Sequence, residues 1–156
     1  MSRARQAVPN LVYVIAGGGY DANYLKKLAE DSRVTIFLGK IEEEEKSAWL
    51  NISHIFVTIS REIEGDYEGF GIVYLEANLA GKPVIAGDSG GVRDAVKDGI
   101  NGLLVNPEKD EEISQAIINL GLNKYLREKL GAQGRARAIK EFSWEKQAKL
   151  IWQILS

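Results

Sequence analysis

The chain has 156 residues, 45% hydrophobic and 27% charged, and that length suits one domain with a real core. Its net charge of −2 gives no global field for nucleic acid or acidic lipid, and with no cysteine and one histidine (His54) it excludes disulfides, thiolate chemistry and a histidine-rich metal site. No apolar run reaches transmembrane length and MSRARQAVPN (1–10) lacks the apolar centre of a signal peptide, so the expected location is cytoplasmic.

In chain order, LVYVIAG (11–17) reads as the first strand. A helix follows over 21–30, with Tyr24, Leu25 and Leu28 at helical spacing. VTIFLG (34–39) is the second strand, and 43–50 is a helix whose acidic start, EEEEK (42–46), suits an exposed first turn near the positive end of the helix dipole. HIFVTIS (54–60) is the third strand. The helix over 71–80 has Ile72, Leu75 and Leu79 on one face and is stopped by Gly81 and Pro83. PVIAG (83–87), a short helix over 91–97 and GLLVN (102–106) complete the alternation. After residue 105 three helices are expected. Asp110 caps the first, with Ile113, Ala116, Ile117 and Leu120 inward; the second covers 124–140, with Leu126 and Leu130 inward; Ser143 caps the third, with Ala148, Ile151, Trp152 and Leu155 on one stripe. The strands are apolar runs, not alternations, which fits a parallel sheet covered on both faces. The fold class is therefore α/β: one doubly wound, Rossmann-like parallel sheet with five strands from this chain.

Ligands of such sheets bind beyond the carboxyl ends of the strands, and unusual residues stand there. AGGGY (16–20) offers a close backbone approach, but Ala22 holds the third glycine position of GxGxxG and Lys40 stands where an acid is expected. A plain tight turn and the wall of a ligand cleft both remain open for Gly17–Gly19. EGFGIVYLE (68–76) places Glu68 before a helix and Glu76 in its second turn, with the N–H groups of Gly71, Ile72 and Val73 free for a phosphate. A carboxylate offers only acceptors, so Glu68 and Glu76 suit the hydroxyls of a phosphorylated sugar or nucleotide. The plainer alternative makes Glu68 an electrostatic cap and Glu76 a solvated helix residue, with Phe70 a core plug. AGDSGGVRDAV (86–96) is either a glycine-rich turn or a further backbone wall of the same cleft.

EGFGIVYLEANLAGKPVIAGDSGGVRDAVKDGINGLLVNP (68–107), together with AGGGYDANYLKKLA (16–29), VTIFLGKI (34–41) and FSWEKQAKLI (142–151), resembles the C-terminal, donor-binding domain of retaining GT-B glycosyltransferases, the "glycosyl transferases group 1" family. TISREIEGDYEGFGIVYLEA (58–77) is similar, more weakly, to mannosyltransferases acting on phosphatidylinositol. The resemblance implies transfer of a sugar from a UDP-, GDP- or ADP-linked donor to an acceptor, with retained anomeric configuration and no other cofactor. By the same resemblance Glu68 contacts the donor sugar and is the catalytic candidate, while Glu76 holds the ribose hydroxyls. Phe70, Gly71, Ile72 and Val73 supply backbone amides to the sugar and distal phosphate. Gly39, Lys40 and Ile41 frame the base, Gly18 and Gly19 turn near the diphosphate, and Ser60 falls at the family's serine, with Ile59 replacing the usual proline. No Asp-x-Asp pair occurs, so no metal is assigned.

The resemblance also implies a front end. Family members open this domain with a strand, central in the order 3-2-1-4-5-6, and an Arg–Lys pair that neutralises the diphosphate; MSRARQAV (1–8) looks like the helix after that pair. The expectation is one domain over 1–156, without the acceptor-binding N-terminal domain or that first strand, and inactive alone. Residues 1–8 are not expected to form a strand, so either 11–17 pairs directly with 54–60 or another chain fills the gap. The expected partners are a nucleotide sugar and the missing domain or a chain supplying it, with no nucleic acid and no transmembrane segment; peripheral membrane contact of the whole enzyme stays open. The alternative function is a non-catalytic nucleotide-binding or interaction domain, and a Rossmann oxidoreductase is disfavoured by Ala22 and Lys40.

Overall fold

The computed structural model describes residues 2–29, 34–62 and 68–155. All five expected strands form, each trimmed at one end or both: β1 Tyr13–Ala16, β2 Thr35–Gly39, β3 Phe56–Thr58, β4 Val84–Gly87 and β5 Gly102–Val105. Every pairing is parallel. The helices are α1 Ser2–Ala7, α2 Ala22–Leu28, α3 Glu43–Ile52, α4 Ile72–Leu79, α5 Val92–Ala95, α6 Asp110–Leu122, α7 Lys124–Glu141 and α8 Trp144–Leu155. Glu30, the expected end of the second helix, lies outside the described residues, as do residues 63–67.

β4 shows why its sequence reads as an unbroken apolar run. Successive side chains of a strand point to opposite faces. Val84 and Ala86 join Leu50, Tyr74, Ala77, Val92 and Ala95 in one buried cluster, while Ile85 joins Ala4, Ala116, Ile117, Leu120 and Leu130 in the other. Helices cover both faces, and all four residues of β4 are buried. Two glycines in α7 serve this packing. A Cβ on Gly131 would strike the Gly81 carbonyl, and one on Gly134 would meet the Asn78 amide, so α7 lies against α4 at backbone distance. That α4–α7 seam also holds buried Asn78 and Asn101. Asn101 Nδ2 donates to Asn78 Oδ1 at 2.6 Å and to the Ala95 carbonyl at 2.9 Å.

The sheet is split. β1 and β2 form one sheet and β3, β4 and β5 another. Of the two alternatives expected for the gap, direct pairing of 11–17 with 54–60 is not the one found among the described residues. The crossover through α3 buries Leu50 with Val84 and Ala86 and delivers β3 to β4, where Phe56 N donates to the Pro83 carbonyl at 3.0 Å. Residues 2–7 are helical, as expected, and bring Ala4 into the core beneath α6.

Other differences concern faces and caps. The buried side of α4 is Tyr74, Ala77 and Asn78, whereas Ile72 and Leu79 are exposed. Tyr24, Leu25 and Leu28 on α2, and Ile151, Trp152 and Leu155 on α8, form apolar faces that remain exposed. Asp110 is the first residue of α6, not its cap, and Lys109 stands at the cap position. Among the described residues no side chain caps that end; Glu112 Oε2 instead ties the preceding turn to the helix, accepting from Asn106 N at 3.0 Å. Ser143 does cap α8, its Oγ accepting from Lys146 N at 3.3 Å.

Candidate functional site

The carboxyl ends of the strands gather the residues singled out by sequence into two groups. The first is built on β1 and β2. Gly17 N donates to the Gly39 carbonyl at 2.7 Å, which ties the glycine turn to the loop over Gly39–Ile41. Gly17 and Gly39 have φ of 131° and 73°, backbone that L side chains adopt at a cost. Gly18 and Gly19 are exposed, and a Cβ on either would meet nothing within 4 Å, so the turn presents bare backbone. Lys40 is exposed beside it.

The second group is built on β3 and α4. Gly71, the N-cap of α4, is buried with φ 78° and no side chain caps the helix. A Cβ there would run into the ring of Tyr74. The first-turn N–H groups of Ile72 and Val73 have no acceptor within the helix, which leaves the positive end of its dipole open for an anion. Tyr74 anchors this turn. Its ring is fully buried and edge-on to Phe56 at 6.2 Å. Its hydroxyl lies 3.3 Å from Ser60 Oγ and donates to the Thr58 carbonyl at 3.4 Å. Burial raises the Tyr74 pKa; the Ser60 hydrogen bond opposes this and the Glu68 carboxylate adds to it. Tyr74 therefore stays a neutral phenol beside Glu68.

Glu68 leads into the turn, its carbonyl accepting from Gly91 N at 3.0 Å. A Cβ on Gly91 would collide with the Gly69 carbonyl. The glycine-rich turn after β4 therefore has a packing role, seating the Glu68 loop at backbone contact. Phe70, partly buried, packs against the core and stands 5.5 Å from Phe142.

Glu76 is one-third exposed on α4 and is held by a residue that sequence reasoning left among solvated charges. Lys46 Nζ lies 3.0 Å from each Glu76 oxygen and 2.8 Å from Glu43 Oε2. Hydrogen bonds that Lys46 donates to the Glu43 and Glu76 carboxylates raise its pKa, so it stays an ammonium. The link runs from α3, which starts just past Ile41, to α4, and so joins the two groups. Only the Glu43–Lys46 spacing was visible in sequence; a partner 30 positions away was not. Beside the Glu68 loop a groove of about 640 Å³ opens at the ends of β4 and β5, lined by Arg61, Asp88, Ser89 and Asn106 among others. Ser89 Oγ is buried there without a hydrogen-bond partner among the described residues.

Parallel strands with bare glycine turns, and an uncapped helix start between two carboxylates, define an α/β domain of the class whose ligands sit beyond the carboxyl ends of the strands. The family described as "Glycosyl transferases group 1" matches residues 1–137, and the chain belongs to it. The chain is 37% identical over 158 residues to the Corynebacterium glutamicum GDP-mannose-dependent monoacylated alpha-(1-6)-phosphatidylinositol monomannoside mannosyltransferase, covering 99% of this chain and 41% of that protein. It thus spans less than half the length of that relative. The Anabaena protein HepE in complex with UDP has the same fold, with a TM-score of 0.84, 23% identity, and 99% of this chain and 43% of that one covered. The C-terminal domain of a group 1 glycosyl transferase from Francisella tularensis superposes with a TM-score of 0.77 at 25% identity, covering 91% of this chain and 77% of that domain. Fold class and family are as the sequence implied. Among the described residues no helix is long and apolar enough to cross a membrane.

Proposed function

We propose that this chain is the donor-binding portion of a retaining glycosyltransferase that takes its sugar from a nucleoside diphosphate sugar. The observation that carries the reading is the start of α4, where Gly71 opens a helix with no side-chain cap between Glu68 and Glu76. The N–H groups of Gly71, Ile72 and Val73 receive the distal phosphate, and with Phe70 they border the sugar. Glu68 accepts from the sugar hydroxyls, and Glu76 grips the ribose diol. Gly18 and Gly19 pass close to the diphosphate, and Gly39, Lys40 and Ile41 frame the base, with Ser60 supporting the turn through Tyr74. Transfer breaks the bond from the anomeric carbon to the phosphate oxygen, and the diphosphate leaves with the electron pair. The acceptor hydroxyl oxygen forms the new bond to the anomeric carbon, and its proton passes to the departing diphosphate oxygen. Fixed N–H donors that meet the developing phosphate charge lower that barrier. GDP-mannose is the first donor to test, since the 37%-identical relative is named for it.

The acceptor half of the cleft comes from a further domain or partner chain, which also supplies a strand between β1 and β3. Support for this is the split sheet and the 41% share of the relative that the chain covers. Activity then belongs to the assembled enzyme.

Calorimetry with UDP, GDP and ADP, and with their sugars, tests the assignment without added metal. Glu76→Ala is expected to weaken the bare nucleotide by on the order of 1.5–3 kcal/mol, the worth of hydrogen bonds to a charged group. Glu68→Ala is expected to spare the bare nucleotide and weaken the nucleotide sugar. Equal losses on the bare nucleotide contradict this division, and no binding at millimolar ligand favours a non-catalytic interaction domain.

A further inference from the structure

We propose that Lys46 is a positioning residue for the nucleotide, acting through Glu76. The inference rests on the ribose-binding role proposed for Glu76 and adds a residue to it. Both oxygens of the Glu76 carboxylate lie 3.0 Å from the same ammonium, and Glu43 holds that ammonium from the other side at 2.8 Å. A carboxylate on a helix surface rotates freely about its side-chain torsions. One gripped at both oxygens keeps a fixed plane. Each oxygen has a second lone pair, so the carboxylate can stay paired with Lys46 while accepting a vicinal diol on its open edge.

Charge argues the same way. A nucleoside diphosphate approaches with negative charge, and an unpaired Glu76 would repel it. Lys46, shared with Glu43, lowers the charge of the trio from two negative to one, and the Lys46 and Glu76 side chains are only 30% and 33% exposed, so salt screens the pair less than a fully exposed one. Lys82 Nζ, donating to the Asn51 carbonyl at 2.7 Å, fastens the far end of α3 to the turn after α4, so the two helices hold their spacing independently of the ion pair. Lys46 can then be removed without letting α3 drift. Its place also ties base to ribose: the helix that carries it starts directly after Ile41, the last residue of the loop proposed to frame the base.

The test is a double-mutant cycle on the full chain, by calorimetry with GDP and with UDP. Lys46→Met is expected to raise the dissociation constant about three- to fivefold, the range of a partly exposed ion pair, with a urea unfolding midpoint close to wild type. Lys46→Arg, which can grip both oxygens with its fork, is expected to restore binding. In a Glu76→Ala background Lys46→Met is expected to have no further effect. An equal loss in that background shows Lys46 acting on the ligand directly and overturns the positioning role. Unchanged binding by Lys46→Met where Glu76→Ala weakens it overturns the inference and leaves the Glu76 assignment standing. If Glu76→Ala changes nothing, or neither nucleotide binds at millimolar concentration, the assignment itself fails and the inference with it.

Discussion

Replacing Gly71 by alanine isolates what the start of α4 demands of its sequence. Two separable costs apply. Gly71 has φ 78°, and an L residue held in left-handed backbone costs about 1–2 kcal/mol. In addition the new methyl runs into the Tyr74 ring. That ring has nowhere to go: it is fully buried, edge-on to Phe56, with its hydroxyl at Ser60 and the Thr58 carbonyl. Forcing one carbon into such packing costs about 1–3 kcal/mol, so the total is about 2–5 kcal/mol. Gly81 supplies the control, since its φ is 73° but a Cβ there meets nothing within 4 Å. Gly81→Ala therefore carries only the backbone cost of about 1–2 kcal/mol. Urea denaturation of both variants at one temperature gives the comparison. Gly71→Ala should also recover stability relative to its parent when Tyr74 is shortened to leucine, because the clash disappears. Equal losses for the two glycines, or strict additivity with Tyr74→Leu, would refute the argument from the ring.

Asn101→Ala should be among the most damaging polar substitutions, about 2–4 kcal/mol by urea denaturation, because it leaves the buried Asn78 Oδ1 and Ala95 carbonyl without their Asn101 Nδ2 donor and the Lys97 N–H without its Oδ1 acceptor; a loss under 1 kcal/mol would contradict that. The Arg93 guanidinium, with two bonds of 2.6 Å, holds the Asp88 carboxyl below the usual carboxylate range. Its folded pKa is depressed, so the stability it adds is present above the unfolded value and lost as pH falls through the folded one. The difference between wild type and Asp88→Asn should therefore be steady near neutrality and shrink below about pH 4; a gap that widens in acid would reverse the sign.

The strands were legible because each is a compact apolar run between turn residues, and β4 shows the cause: burial on both faces leaves no polar alternation to misread. Faces were less legible. Ile72 and Leu79 read as one apolar face of α4, yet the buried side is Tyr74, Ala77 and Asn78: Tyr74 fills the space beside Phe56, and α7 meets the Asn78 amide through Gly134. Whether β1 pairs with β3 was left open between two alternatives, because pairing is a property of neighbours and not of either strand. At the site, Glu68, Gly71 and Glu76 declared themselves by spacing around a helix start. Lys46 did not, since its partner lies on another helix, and the anchoring role of Tyr74 follows only from the buried cage around its ring.

The most direct test of the central claim, that the start of α4 receives a nucleoside diphosphate, is to follow backbone amide resonances of the full chain during titration with GDP and UDP. The account predicts that the amides of Gly71, Ile72 and Val73 shift together, with Gly18, Gly19 and Gly39–Ile41 moving along the same binding curve. Shifts confined to Arg61, Asp88 and Asn106 in the neighbouring groove, or none at millimolar nucleotide, would contradict it.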